Sequence, residues 1–292
     1  MFEKKIISFK GLEVKITDHA NEGILEILNN TVLGSDGGLR YQLRNIPSRI
    51  EAYGDQIRFI SLYKAGKITG TIGACFRTTG QGNLRCPSTY IRYLAFQSSY
   101  QAHGALKIRM RDKVKTDRDD SFKEKALGIF SKPDLLDFKG YHEGDKHIMY
   151  AFVESMNERS KNLITQAGYD YIRSFLTVAF SRFSPKHDSR VSKLTTGMEK
   201  EKMKSLLLDH YKDHSLFSPD HVFYGDQYYV LREGDEIVAG VSAIPSSYKI
   251  YEMPGVWGWV IMKILPKAPY FKKLFFPEEF RHLVFDAIYY KK

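Results

Sequence analysis

Few side chains in this sequence could do chemistry by type and spacing alone. Its two cysteines, Cys75 and Cys86, are too few for a disulfide framework and lack metal-ligand spacing. Both fall in or beside apolar, strand-like text, where a buried free thiol in a reducing cytoplasm is the plain reading. A basic run, Lys107, Arg109, Arg111, Lys113 and Lys115, alternates with Leu106, Ile108, Met110 and Val114. It reads as a solvated charged face, a set of phosphate contacts or a nucleic-acid contact, on an extended ribbon as readily as on a helix. Arg40, Arg44 and Arg49 have a spacing that could meet an acidic partner or simply face solvent.

The elements that must position such residues alternate between strand and helix. Leu12–Thr17 predicts a short strand, and Asp18 or Asn21 can cap a helix through Ile24, Leu25, Ile27 and Leu28. A glycine-rich segment follows, then a second helical stretch at about Leu39–Ala52. Gln56–Tyr63 and Ile68–Arg77 form a hairpin across Lys64-Ala65-Gly66-Lys67. Thr89–Phe96 is a strand apolar enough to be covered on both faces. Beyond it come a helix at Ser121–Ser131 stopped by Pro133, a strand at His147–Glu154, a helix at Asn157–Ala167 ended by Gly168, and a long strand at Tyr169–Phe183. The polar, proline-containing stretch Ser184–Asp188 is the best domain boundary, dividing 1–185 from 186–292. After it, Val191–Thr195 is strand-like and Met198–Tyr211 helical. Gln227–Arg232 and Glu236–Ile244 make a second hairpin, Val256–Leu265 is helical, and Leu283–Tyr290 is a last strand.

The two hairpins align without a gap. Phe59–Ile72 lies over Tyr228–Val241 at a constant offset (237 − 68 = 169). A strand and a helix precede each, and Lys15-Ile16-Thr17 is answered by Lys193-Leu194-Thr195. The order of elements favours a duplicated α/β unit over a chance likeness of two hairpins.

The chain has 292 residues, 43% apolar, 14% aromatic and 27% charged, and a net charge of +10. That describes a globular chain with Phe- and Tyr-rich cores and an attraction for polyanions such as nucleic acid, an anionic membrane surface or coenzyme A. The N-terminus has no signal-peptide core, and the best apolar stretch is about half a bilayer span, so no membrane span is expected.

The first unit resembles the GNAT superfamily of N-acetyltransferases, an α/β fold on a mixed (α+β) sheet. Tyr90–Phe96 is similar to the family's central strand, and Gln101-Ala102-His103-Gly104-Ala105 to the start of its phosphate loop. Asn157, Ser160 and Leu163 followed by Gly168-Tyr169 are similar to its Asn-x-x-Ala/Ser-x-x-Leu helix and closing glycine–aromatic pair. The resemblance implies acetyl-CoA as cosubstrate. Its pantetheine would lie where the fourth and fifth strands splay, facing Leu94, Ala95 and Phe96 and bonding Asn157 and Ser160. Its pyrophosphate would sit on backbone N–H groups of the Gln101–Ala105 loop.

Two positions depart from the family pattern. Leu106 stands where a last Gly or Ala belongs, and Ile164 where a Tyr commonly protonates the leaving thiolate. The candidate base is then Glu154, otherwise a surface carboxylate, and the candidate acid Tyr150, otherwise a core aromatic. Tyr93 is likewise read as core.

By the repeat, Leu283–Tyr290 is the counterpart of the central strand, so the second GNAT-like unit stops before its cofactor-binding half. The natural protein is expected to continue for roughly another 70–100 residues. The leading function is acetyl transfer to a small-molecule or peptide amine. The alternatives are tRNA-dependent aminoacyl transfer, as in the Fem-type enzymes with paired GNAT-like domains, and a non-catalytic GNAT-like binding or scaffold protein. Direct nucleic-acid binding ranks below these.

Overall fold

The computed structural model describes residues 2–81, 84–97, 125–142, 144–180, 186–267 and 275–291. Its chain is mixed α/β. The first sheet contains β1 (Glu3–Phe9), β2 (Leu12–Thr17), β4 (Ile57–Lys64), β5 (Lys67–Gln81), β6 (Leu84–Phe96) and β7 (Ile148–Ala151), in the order β1-β2-β4-β5-β6-β7. It is a mixed sheet: β1–β2, β2–β4 and β4–β5 pair antiparallel, and β6–β7 pair parallel.

Both faces of this sheet are covered. Phe59 and Cys75 point into a cluster with Ile24, Ile27 and Leu28 of α1 (Glu22–Asn30) and Ile46 and Ile50 of α2 (Ile46–Glu51). Their chain neighbours Ile60 and Ala74 point the other way, into a cluster with Val14, Ile91, Ile129, Leu136 and Phe138. The two-residue period of a strand with apolar side chains at both parities requires two cores, which is why β4 reads as a near-continuous apolar run. Asn21 caps α1 as expected, its side chain accepting from the Ile24 N–H at 3.0 Å.

By contacts the chain divides into two compact units. One comprises Met1–Arg77, Cys86–Tyr169 and Ser247–Arg281; the other comprises Thr78–Arg85, Asp170–Ser246 and His282–Lys292. The second unit's core holds Leu194, Met203, Leu207, Tyr228, Val230, Ile237, Ala287 and Tyr289. They come from α4 (Gly197–His210), β9 (Tyr228–Glu233), β10 (Glu236–Glu252), β11 (Phe280–Tyr290) and the segment after β8 (Val191–Lys193). Here the sheet order is β11-β10-β9-β8. The remaining helices are α3 (Glu158–Gln166) and α5 (Gly255–Lys263), and the described part of the chain has no helix long and apolar enough to cross a membrane.

The two hairpins share more than length. In the first, Tyr63 pairs with Ile68 but Leu62 with Gly70, leaving Thr69 as a bulge. In the second, Arg232 pairs with Ile237 but Leu231 with Ala239, leaving Val238 as a bulge. Thr69 and Val238 stand at the same offset of 169 (238 − 69) that relates the sequences. The turns differ in type: Ala65 and Gly66 both have positive φ, whereas of Gly234 and Asp235 only Gly234 does. Upstream, the register is not conserved. Lys15 pairs with Ser61, but Ser192 rather than Lys193 pairs with the equivalent Val230.

Other sequence expectations need correction. The helix at about Leu39–Ala52 is instead β3 (Arg40–Leu43) followed by α2. Tyr41 bonds Leu33 in both directions, and Arg40–Leu43 pairs with Tyr248–Glu252. That long-range ladder overrides helical propensity, and the helix starts afresh at Ile46, with Pro47 in its first turn. The long strand at Tyr169–Phe183 is absent: residues 170–180 are exposed and in no strand or helix, and 181–183 fall outside the described residues. An alternating pattern makes a strand only when a neighbour completes the ladder. In the segment Ser121–Ser131, residues 125–128 are helical and Ile129–Ser131 tighten into a 3-10 turn, while 121–124 lie outside the described residues.

Candidate functional site

β6 is the strand on which the site depends, and it is irregular. Ile91 and Leu94 pack in one sheet-face cluster, while Tyr90, Tyr93 and Ala95 pack in the other. Three-residue spacing on one face of a strand requires an inserted residue. Tyr93 supplies it, with φ of 55° in the left-handed region, a conformation that costs a non-glycine residue about 1–2 kcal/mol. Glycines on β5 make room for the displaced rings. A Cβ on Gly73 would come within 2.8 Å of the Tyr93 ring, and one on Gly70 would run into Phe96. The second unit repeats the device: Ala287 of β11 has φ of 48°.

The parallel ladder between β6 and β7 covers only Ser88↔Ile148 to Ile91↔Ala151. β6 then runs on to Phe96, five residues past the last pair. Here lie the residues that the sequence assigned to the acyl-pantetheine. Leu94 is half-buried, Ala95 is buried against the α1–α2 cluster, and Phe96 lies over Gly70. Gln101, Ala102, His103, Gly104 and Ala105 fall outside the described residues, as does the basic run Lys107–Lys115.

Asn157 and Ser160 are brought together, but by the helix itself. Asn157 Oδ1 accepts the Ser160 backbone N–H at 3.0 Å and caps α3. At the other end the Gly168 N–H bonds the Thr165 carbonyl, and the Tyr169 N–H bonds the Ile164 carbonyl, each at 3.0 Å, with Gly168 at φ of 87°. This is a Schellman stop. Tyr169 is then anchored by its hydroxyl on the Phe130 carbonyl at 3.2 Å. The pattern from Asn157 to Tyr169 is therefore fully used in starting, stopping and seating one helix. The Asn157 amide N–H2 and the Ser160 hydroxyl take no part in these helix bonds.

The candidate base and acid have very different surroundings. Glu154 lies three residues past the end of β7, exposed, where Ser35 Oγ donates to it at 3.4 Å. Tyr150 is buried, stacked on Tyr90 with ring centroids 5.2 Å apart, and its hydroxyl lies beside Arg77. Burial pushes its phenol up, with Arg77 pulling it partly back. That makes it a weaker acid than a free tyrosine.

The most unusual chemistry in the first unit was not foreseen from sequence. Arg77 of β5 donates to Tyr53 Oη at 3.3 Å, and Arg92 of β6 donates to the same oxygen. Both guanidiniums also lie over the Tyr90 ring, at 5.0 and 5.4 Å. Two like charges bonded to one oxygen repel by roughly 3 kcal/mol at an effective dielectric near 20. Among the described residues, the ionisable groups acting most on them are phenols and the Cys75 thiol. Burial pushes Cys75 up to about 11 and Tyr93 up to about 12, so these neighbours are neutral at pH 7. Burial opposes the Arg92 charge, yet the adjoining Tyr93, Tyr53 and Tyr90 hold its pKa above the ordinary value. The signal in the sequence was a charged residue inside each of two apolar strands, a placement seldom found without a partner.

A separate surface recess of about 430 Å³, lined by Ile6, Ile7, Lys125, Gly128, Ile129, Lys132 and Leu135, contains only cationic and apolar side chains.

No protein-family profile matches the sequence, and no curated protein matches it. Among solved structures, the chain is similar to Saccharomyces cerevisiae N-myristoyltransferase with bound myristoyl-CoA. The identity is 14%, the match covers 87% of this chain and 64% of that one, and the TM-score is 0.46. It is also similar to a GCN5-related N-acetyltransferase from Anabaena variabilis, at 14% identity, 81% and 57% coverage and a TM-score of 0.41. A third is a conserved protein of unknown function from Enterococcus faecalis, described as a probable N-acyltransferase, at 10% identity, 80% and 55% coverage and a TM-score of 0.42. The chain thus spans less than two thirds of the length of each of these proteins.

Proposed function

We propose that this chain is an acyl-CoA-dependent N-acyltransferase, with acetyl-CoA the donor and a small-molecule or peptide amine the acceptor. The observation that carries this reading is the end of the β6–β7 ladder at Ile91↔Ala151, while bulged β6 continues to Phe96. Two parallel strands that stop pairing leave main-chain N–H and C=O groups to bond something other than each other. An amide-bearing arm such as pantetheine supplies alternating donors and acceptors of the right kind. Leu94, Ala95 and Phe96 would line it, and the Asn157 amide and Ser160 hydroxyl would reach it from α3. Gln101–Ala105 would meet the phosphates.

The donor brings an activated thioester. The chain's own part is to hold that thioester against an amine already in its neutral form, a contribution of position more than of proton transfer. Glu154 is the proposed base, working through water because it is exposed. Tyr150 is retained as the proposed acid, though its raised phenol suits it better to orienting than to donating. Ile164 contributes no proton. The matching bulges at Thr69 and Val238, and the left-handed residues Tyr93 and Ala287, support a second reading alongside this one: the strand–helix–hairpin–strand unit occurs twice, as tandem GNAT-like domains.

The test is thermal unfolding with and without 1 mM acetyl-CoA, then release of free CoA on an amine panel. A ligand bound only by the folded state at about 100 times its Kd adds about 2.7 kcal/mol. A rise of several degrees with turnover on at least one amine is expected. No rise sinks the proposal, and a rise without turnover on any amine transfers it to a non-catalytic CoA-binding protein.

A further inference from the structure

We propose that Arg77 and Arg92 form an anion-binding pair that holds a carboxylate-bearing ligand against the aromatic wall of Tyr53, Tyr90 and Tyr93. The two guanidiniums share the Tyr53 hydroxyl, and among the described residues the groups acting most on them are phenols and the Cys75 thiol. Two polar atoms around them are buried without a hydrogen-bond partner among the described residues: Arg77 Nε and Tyr93 Oη. Both can donate. A cluster with two cations, surplus donors and one shared acceptor is complementary to an anion.

Arg77, Arg92, Tyr90 and Tyr93 are half-buried, and Phe152, packed edge-on against Tyr90 and Tyr150, is 50% exposed, so the edge of the cluster reaches the surface. The forked guanidiniums match a carboxylate bidentately, and the flat phenol rings suit a planar apolar body on the same ligand. The ligand class is accordingly an aromatic or other apolar molecule bearing a carboxylate. Its role as the acyl acceptor, an amino-carboxylate, rests on the acyltransferase reading; the binding itself does not.

The experiment titrates the full chain, without CoA, with benzoate, its neutral isostere benzamide, and phenyl phosphate, by calorimetry at low ionic strength. In parallel, phenylglyoxal modification of the wild-type arginines is mapped by peptide mass spectrometry, with and without each probe. Benzoate is expected to bind at least tenfold more tightly than benzamide and to protect Arg77 and Arg92 from modification. Arg92→Gln and Arg77→Gln should each weaken benzoate at least tenfold while leaving benzamide unchanged. The protection measurement uses the wild-type chain, so it stands even if either variant fails to fold. Equal affinity for benzoate and benzamide, or protection of other arginines only, overturns the proposal. Tighter binding of phenyl phosphate overturns the carboxylate assignment. The absence of a CoA-induced melting shift would remove the acceptor role and leave these binding results intact.

Discussion

Single residues in the first unit are held to their roles by what surrounds them more than by their types. His147 shows this in a form that can be titrated. Its Nε2 lies 2.8 Å from Thr89 Oγ1, its Nδ1 is buried without a partner among the described residues, and burial lowers its pKa below the ordinary 6.5. The folded state therefore prefers the neutral ring. As pH falls below about 6.5, the unfolded chain takes up this proton before the folded one does, so stability is lost on acidification and regained as pH rises. His147→Gln is expected to flatten the pH dependence of unfolding below about pH 6.5, and the wild-type ring should titrate below 6.5 by NMR. An imidazole titrating at or above 6.5 would contradict the burial argument. Tyr150 and Glu154 differ in the same way: burial raises the Tyr150 phenol, whereas Glu154 is exposed.

At the scale of elements, α3 is the most informative. If Asn157 caps it, Asn157→Ala should lower stability by about 1 kcal/mol and Asn157→Ser should nearly restore it, as read by chemical denaturation. A side chain serving only a ligand would leave stability untouched in both variants. The helix was legible in sequence because its end signals are local: Asn157 before it, Gly168 after it. The hairpins were legible for the same reason, through Ala65-Gly66 and Gly234-Asp235. What escaped sequence reasoning was decided at long range. β3 replaces a predicted helix because Tyr248–Glu252 offers it a ladder more than 200 positions away in the chain. Residues 170–180 have an apolar pattern that would suit a strand, yet none of them joins a sheet. The bulge at Tyr93 could not be foreseen either. It shows only when Ile91 and Leu94 are found in one core with Tyr90 and Ala95 in the other, and it is what turns Arg92 and Tyr93 toward the same face. The candidate site was therefore half legible: the strand that carries it was, but the arginine pair beside it was not.

Across the whole molecule, the recurrence of irregular features is more telling than the recurrence of regular ones. Two hairpins of equal length are common; here each also carries a bulge at the same offset and is followed later in the chain by a strand with a left-handed residue, which supports the proposed repeat. The net charge of +10 suits a polyanionic ligand such as CoA, and its affinity should fall as salt rises. The most direct test of the central claim is amide hydrogen exchange of the full chain with and without saturating CoA. The account predicts slowed exchange in peptides covering Arg92–Phe96, where β6 runs past its β7 partner, and at Asn157–Ser160. Unchanged exchange there at millimolar CoA, or protection confined to other segments, would contradict it.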